Sequence, residues 1–179
     1  LSNEDFASTL RAIPYPFREA DKGAGIEIFH GAHGRLETHA PIKAFAPYKI
    51  GGEDHIMASY TCTPLVKIPV KELKPGARVK GVTIAELGNQ NQPLDMIVYT
   101  KDGKDYLLTA NTRHGVLKIP TTEFASAAPI TARTDVAGVK AEKIDALQNV
   151  IQVDKLDDGR MIIITRTDAG LDLKTVPLP

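Results

Sequence analysis

The chain has 179 residues, 42 % hydrophobic and 25 % charged, with 22 basic residues cancelling 22 acidic ones. This length fills one domain with a sizeable core, and the balanced, unclustered charge leaves no electrostatic footprint for nucleic acid or a membrane surface. No apolar run approaches the roughly 20 residues of a membrane helix, and the single cysteine, Cys62, makes no internal disulfide.

In chain order, residues 1–22 read as a helical lead-in. Leu1 to Ala12 carries cap residues Ser2 or Asn3 and acidic Glu4 and Asp5 at the dipole's positive end, Phe6, Leu10 and Ile13 share one face, and Pro14 and Pro16 end it. Residues 23–41 hold a strand, GIEIFHG, then the histidine-rich loop AHGRLETHAP. Residues 42–87 read as four strands: Ile42–Ile50, His55–Thr61, Leu65–Val70 and Val79–Leu87. Residues 94–144 repeat the plan, with strands Leu94–Thr100, Tyr106–Asn111 and Gly115–Pro120 and a fourth at either Ile130–Arg133 or Lys140–Ile144. The Asp102-Gly103 pair signals a tight hairpin turn. Residues 148–179 supply three more strands, Val150–Leu156, Met161–Thr165 and Leu171–Val176.

The two complete units are copies. Tyr48–Leu73 aligns without gaps on Tyr99–Phe124, and eight of 26 pairs are identical: Tyr48/Tyr99, Gly52/Gly103, Asp54/Asp105, Thr61/Thr112, Lys67/Lys118, Ile68/Ile119, Pro69/Pro120 and Glu72/Glu123. In a third, fainter copy Met57, Leu108 and Ile163 align as mid-strand residues buried between units, and His55 aligns with Tyr106 as a packing position. A β repeat of about 50 residues predicts propeller blades. The expected fold is therefore all-β, a partial β-propeller of about three four-stranded blades. Propellers close with typically 4–8 blades, so the remaining blades are expected from a partner chain or a longer parent. The initial Leu1 likewise reads as a processed start or an internal one.

The unit Pro93-Leu-Asp-Met-Ile-Val-Tyr, Lys-Asp-Gly-Lys, Asp-Tyr-Leu-Leu-Thr-Ala-Asn resembles blades of the YVTN, NHL and paraoxonase-like propellers. The resemblance covers residues 40–124 and, more weakly, 148–178. It implies a bacterial secreted or periplasmic setting, and the superfamily includes oxidoreductases that bear copper or work beside cytochromes, calcium-dependent lactone hydrolases and non-catalytic interaction platforms. None of those families' catalytic residues maps onto this chain.

Blade geometry gathers the polar loops at one mouth. Three of the five histidines, His30, His33 and His39, fall within ten residues there. Imidazole is the commonest transition-metal side chain, so these three are the candidate ligands of copper or iron. The alternative is loop histidines bonded to carbonyls or solvent. His39 and His114 are candidate catalytic groups. Asn91 and Asp95 offer oxygens to a cofactor, Ca²⁺ or a polar substrate, or else cap the loop before Pro93. Arg113 beside His114 is a candidate anion contact, and Cys62 a candidate ligand or nucleophile. These features predict a metal-dependent oxidoreductase acting on a small molecule. The rival expectations are a propeller scaffold and a calcium-dependent lactonase-like hydrolase.

Overall fold

The computed structural model describes residues 10, 11, 13–18 and 23–179, and the helix expected over Leu1–Ala12 lies outside the described residues apart from Leu10 and Arg11. The fold is all-β, with strand over 56 % of the chain and helix over 4 %. Among the described residues, fifteen strands make four open sheets. The first sheet has order β2-β1-β6, from β1 (Gly25–His30), β2 (Arg35–Glu37) and β6 (Arg78–Lys80). The second combines β3 (Ile42–Ile50), β4 (Glu53–Tyr60), β5 (Pro64–Pro69), β7 (Val82–Leu87) and β11 (Val136–Gly138) in the order β11-β7-β5-β4-β3. The third has order β12-β10-β9-β8, from β8 (Pro93–Lys101), β9 (Lys104–Asn111), β10 (Gly115–Pro120) and β12 (Glu142–Lys143). The last is the meander β13 (Val150–Lys155), β14 (Arg160–Thr167) and β15 (Gly170–Pro177).

The repeat is visible in both turns and cores. Gly51-Gly52 closes β3–β4 and Asp102-Gly103 closes β8–β9, all four with positive φ, the geometry whose twist matches two-residue hairpins. Successive sheets pack face to face through three apolar clusters. Val66 and Ile68 face the first sheet, meeting Ile26 and Ile28. Their repeat partners Leu117 and Ile119 face the second sheet, meeting Met57 and Leu65. Leu108 and Val116, the partners of Met57 and Leu65, in turn face the last sheet, meeting Val150, Val153, Met161 and Ile163. The second and third sheets thus present equivalent residues to their predecessors and equivalent ones to their successors. Met57, Leu108 and Ile163 are all buried, at 0 %, 0 % and 3 % exposure. Ile163, however, looks back across the interface at Leu108 instead of occupying Leu108's face. The longer loop between β13 and β14 shifts the third copy's alignment by one residue, and one residue exchanges the two faces of a strand.

Three further details differ from the sequence reading. The strand expected over Val79–Leu87 breaks at Gly81, whose N–H turns to the Glu27 carbonyl (2.8 Å), so that β6 pairs parallel with β1 while β7 stays in the second sheet. The histidine loop contains a strand of its own, β2, antiparallel to β1. Of the two candidates for the third sheet's outer strand, residues 140–144 supply it as β12, against β10. Residues 130–133 do not form a strand and belong to a strap that crosses back over the second sheet. Along that strap Ile130 N–H bonds the Thr83 carbonyl (2.9 Å), Thr134 N–H bonds the Gly31 carbonyl (3.0 Å), and β11 adds to the edge of β7.

Candidate metal centre

His30 ends β1, and the next four residues form one tight turn. His33 and Gly34 N–H groups both donate to the His30 carbonyl (3.2 and 2.8 Å), and Gly34 N–H also reaches the Gly31 carbonyl at 3.0 Å. A single helical turn places side chains i and i+3 together. The His30 and His33 rings accordingly lie 3.9 Å apart between centroids, tilted by 36°.

The β1–β2 pairing then sets Glu37 beneath them. Glu37 stands opposite Ile28 and diagonal to His30, on the same face of the sheet. Its Oε2 contacts His30 Nδ1 at 2.8 Å, while Oε1 contacts His33 Nδ1 at 2.7 Å and accepts Arg35 Nε–H at 3.0 Å. Burial pushes this carboxyl up, but the hydrogen bonds from His30, His33 and Arg35 outweigh it and hold the group at about 2. An ionised carboxylate only accepts, so both histidines donate from Nδ1. That tautomer leaves each Nε2 with its lone pair free, the form in which imidazole ligates a metal. Burial lowers the His30 pKa, against the opposing pull of Glu37, which favours the neutral ring. Its Nε2 is buried without a hydrogen-bond partner.

The third donor comes from the loop between β4 and β5. Cys62 and Thr63 both have positive φ (62° and 59°), and the loop between β7 and β8 holds them in place. Cys62 N–H donates to the Asn91 carbonyl (2.9 Å), Thr63 N–H to the Tyr60 carbonyl (2.8 Å), and Thr63 Oγ1–H to the Gly88 carbonyl (2.9 Å). One donor atom each from His30, His33 and Cys62 then lies within 4.8 Å of the others. Around a tetrahedral ion with bonds of about 2.0–2.3 Å, donors stand about 3.3–3.5 Å apart. The trio is therefore close enough to hold a metal ion after a small closure. Three protein donors leave one position for a substrate or water. A cleft of about 650 Å³, lined by His30, His33, Arg35, Glu37, His39 and Thr61, adjoins it.

Of the three candidate histidines, His30 and His33 are brought together. His39 lines the cleft outside the trio, and Cys62 takes the place expected of it. Asn91, fully buried, spends its side chain on its neighbours. Oδ1 accepts Arg113 N–H (2.9 Å) and Thr112 Oγ1–H (3.4 Å), and Nδ2 donates to Asn111 Oδ1 (3.3 Å). Asp95 accepts Met96 N–H at Oδ1 (2.9 Å) and Val153 N–H at Oδ2 (3.0 Å), tying the third sheet to the fourth. The Arg113 guanidinium donates to Gln90 Oε1 (2.8 Å). His114 lies in a different cleft of about 470 Å³, with Leu87, Leu117 and Lys143. Glu37 escaped the sequence reading, although a carboxylate four residues after His33 is a readable signal for a histidine's hydrogen-bond partner.

One more buried acid stands behind the turn. Glu86 is 1 % exposed, and burial pushes its carboxyl up to about 7 despite opposing hydrogen bonds from the Gly31 and Ala32 amides. The folded chain therefore holds this proton between the ordinary carboxyl value of 4.5 and about 7, where the unfolded chain has released it. Stability should fall as pH rises through that window, and the penalty should be complete above it. Urea unfolding from pH 4.5 to 8 checks this. In Glu86→Gln that component of the slope should vanish, and an unchanged profile would refute the assignment.

The chain matches no protein-family model and no curated protein, so the functional reading stands on the donor set and on the fold that assembles it.

Proposed function

We propose that this chain is the metal-binding part of a propeller-type enzyme, an oxidoreductase whose ion is held by His30, His33 and Cys62. The observation that carries the reading is the convergence of one thiol and two imidazoles over a single carboxylate that orients both rings. A thiolate with two imidazoles is a soft, nitrogen-rich set that suits copper, and copper supplies one-electron chemistry. The same set favours copper over iron among the expected ions, and it disfavours calcium, which takes oxygen ligands. The oxygens of Asn91 and Asp95 that a calcium site would use already accept neighbouring hydrogen-bond donors. In this reading a small-molecule substrate enters the cleft beside the ion, with Arg35 and His39 on its wall.

The propeller part of the proposal is supported by the stacking of four sheets through equivalent faces and by the adjacency of their first strands, β3 to β8 and β8 to β13. The last sheet turns Ile162, Ile164, Leu171 and Leu173 outward, the last two 62 % and 72 % exposed. In each preceding sheet the successor-facing surface is covered. A further sheet, from a partner chain or from more of the same protein, covers this one in the proposed assembly. The extracytoplasmic location expected from the propeller resemblance completes the reading.

The test is metal content. Protein stripped of metal and equilibrated anaerobically with Cu(I), then desalted, should retain one copper per chain by elemental analysis. Cys62→Ala and His33→Ala should each lose it. Copper absent from the unmodified chain would replace the enzyme reading with that of a metal-free scaffold, and copper retained equally by both variants would overturn the assignment of the ion to His33 and Cys62.

A further inference from the structure

We infer that Glu86 is a positioning residue for this centre, acting through the backbone between its two histidine ligands. The inference rests on the proposed metal reading for its function but on separate contacts for its geometry. Glu86 lies at the end of β7, 55 residues from the turn, and its Oε1 accepts Gly31 N–H at 2.5 Å. The Ala32 amide donates to the same carboxylate. Those two amides belong to the only residues between His30 and His33, so one side chain grips the whole span that sets the distance between the ligands.

The fit is close. A Cβ on Gly31 would stand 2.7–2.8 Å from the Glu86 side chain, so the turn carries glycine where the carboxylate approaches. From the other side the strap holds the same residue through Thr134 N–H and the Gly31 carbonyl. Glu37 orients the rings, and Glu86 orients the main chain that carries them. A buried carboxyl group with one oxygen, Oε2, free of any protein partner is a costly feature for a protein interior, whichever protonation state it holds. Holding the ligand turn is the use that its contacts show. A glutamine at this position keeps an acceptor oxygen for the amides, whereas an alanine leaves them buried without one.

The test compares Glu86→Gln and Glu86→Ala with the unmodified chain in two measurements. The first, on metal-free protein, is amide hydrogen exchange at Gly31 and Ala32. The second is Co(II) titration, followed by the thiolate-to-cobalt charge-transfer absorption, with His33→Ala as the reference for a broken site. Glu86→Ala should speed exchange at both amides at least 10-fold and weaken Co(II) binding about 10-fold, and Glu86→Gln should restore both. Unchanged exchange in Glu86→Ala overturns the inference whatever the cobalt result. Faster exchange with unaltered cobalt affinity and band position also overturns it, because the turn would then not govern the ligands. If exchange responds as expected but the unmodified chain gives no charge-transfer band, the grip on the turn stands and the metal reading fails.

Discussion

Gly138→Ala should detach the strap from the second sheet and cost about 2–5 kcal/mol, the sum of a left-handed backbone penalty and an overpacked contact. Gly138 lies in β11 with φ +82°, opposite Ala85 of β7. A Cβ there would sit 2.0 Å from the Ile84 carbonyl oxygen and 2.9 Å from the Ala85 Cα, both backbone atoms that have nowhere to go. The same carbonyl accepts Val139 N–H at 3.0 Å, and Val139 is 5 % exposed in the middle core. If the strap leaves as a unit, the measured loss is bounded by its own docking free energy. Amide exchange at Val139 and Thr134 should then rise with the loss of global stability seen in urea. Wild-type protection at both amides, with stability within about 0.5 kcal/mol of the parent, would mean that β11 is not held as described. Because Thr134 also holds Gly31, the variant should loosen the histidine turn as well.

Leu108→Ala is expected to cost about 2–5 kcal/mol, whereas Leu173→Ala should stay within about 0.5 kcal/mol. Leu108 is fully buried in β9 between the third and fourth sheets, against Val150, Val153 and Ile163, with little room for the surroundings to collapse. Leu173 is 72 % exposed in β15 on the opposite side of the last sheet. The contrast is read from denaturant midpoints of the two variants at equal slope. Comparable losses at the two positions would show that Leu173 is covered in solution, which the proposed further sheet would bring about once that sheet is present.

The strands that carry the repeat were legible because their information is local. Ile42–Ile50 was predicted to the residue, and Gly115–Pro120 likewise. Alternation of apolar residues, the Gly-Gly and Asp-Gly turns and the copied Lys-Ile-Pro strand end all act within a few residues of one another. Their pairing is antiparallel between neighbours in sequence, so little had to be inferred across distance. The candidate site was half legible. Three histidines in ten residues announced a polar cluster, and the loop geometry placed Cys62 at the same mouth.

What lay beyond local reading was every contact whose partner is far along the chain. The strap's return to β7, the break that sends β6 to β1, and Glu86 reaching the histidine turn each depend on where sheets stack. Sheet stacking is set by burial summed over whole faces rather than by any short motif. The choice of Cys62 over His39 belongs to the same class. Both stand in loops at one mouth, but a helical turn after β1 directs His30 and His33 toward the β4–β5 loop, and Glu37, bonded to both Nδ1 atoms, leaves their Nε2 nitrogens free for it. The amino-acid sequence by itself determined an all-β chain with a histidine-rich loop, because strand patterning and turn chemistry are properties of neighbours, whereas the expected four-stranded units became sheets of three, five, four and three strands. Only the tertiary structure decided which side chains share one site, because the backbone of one sheet and the loop of the next meet there through packing.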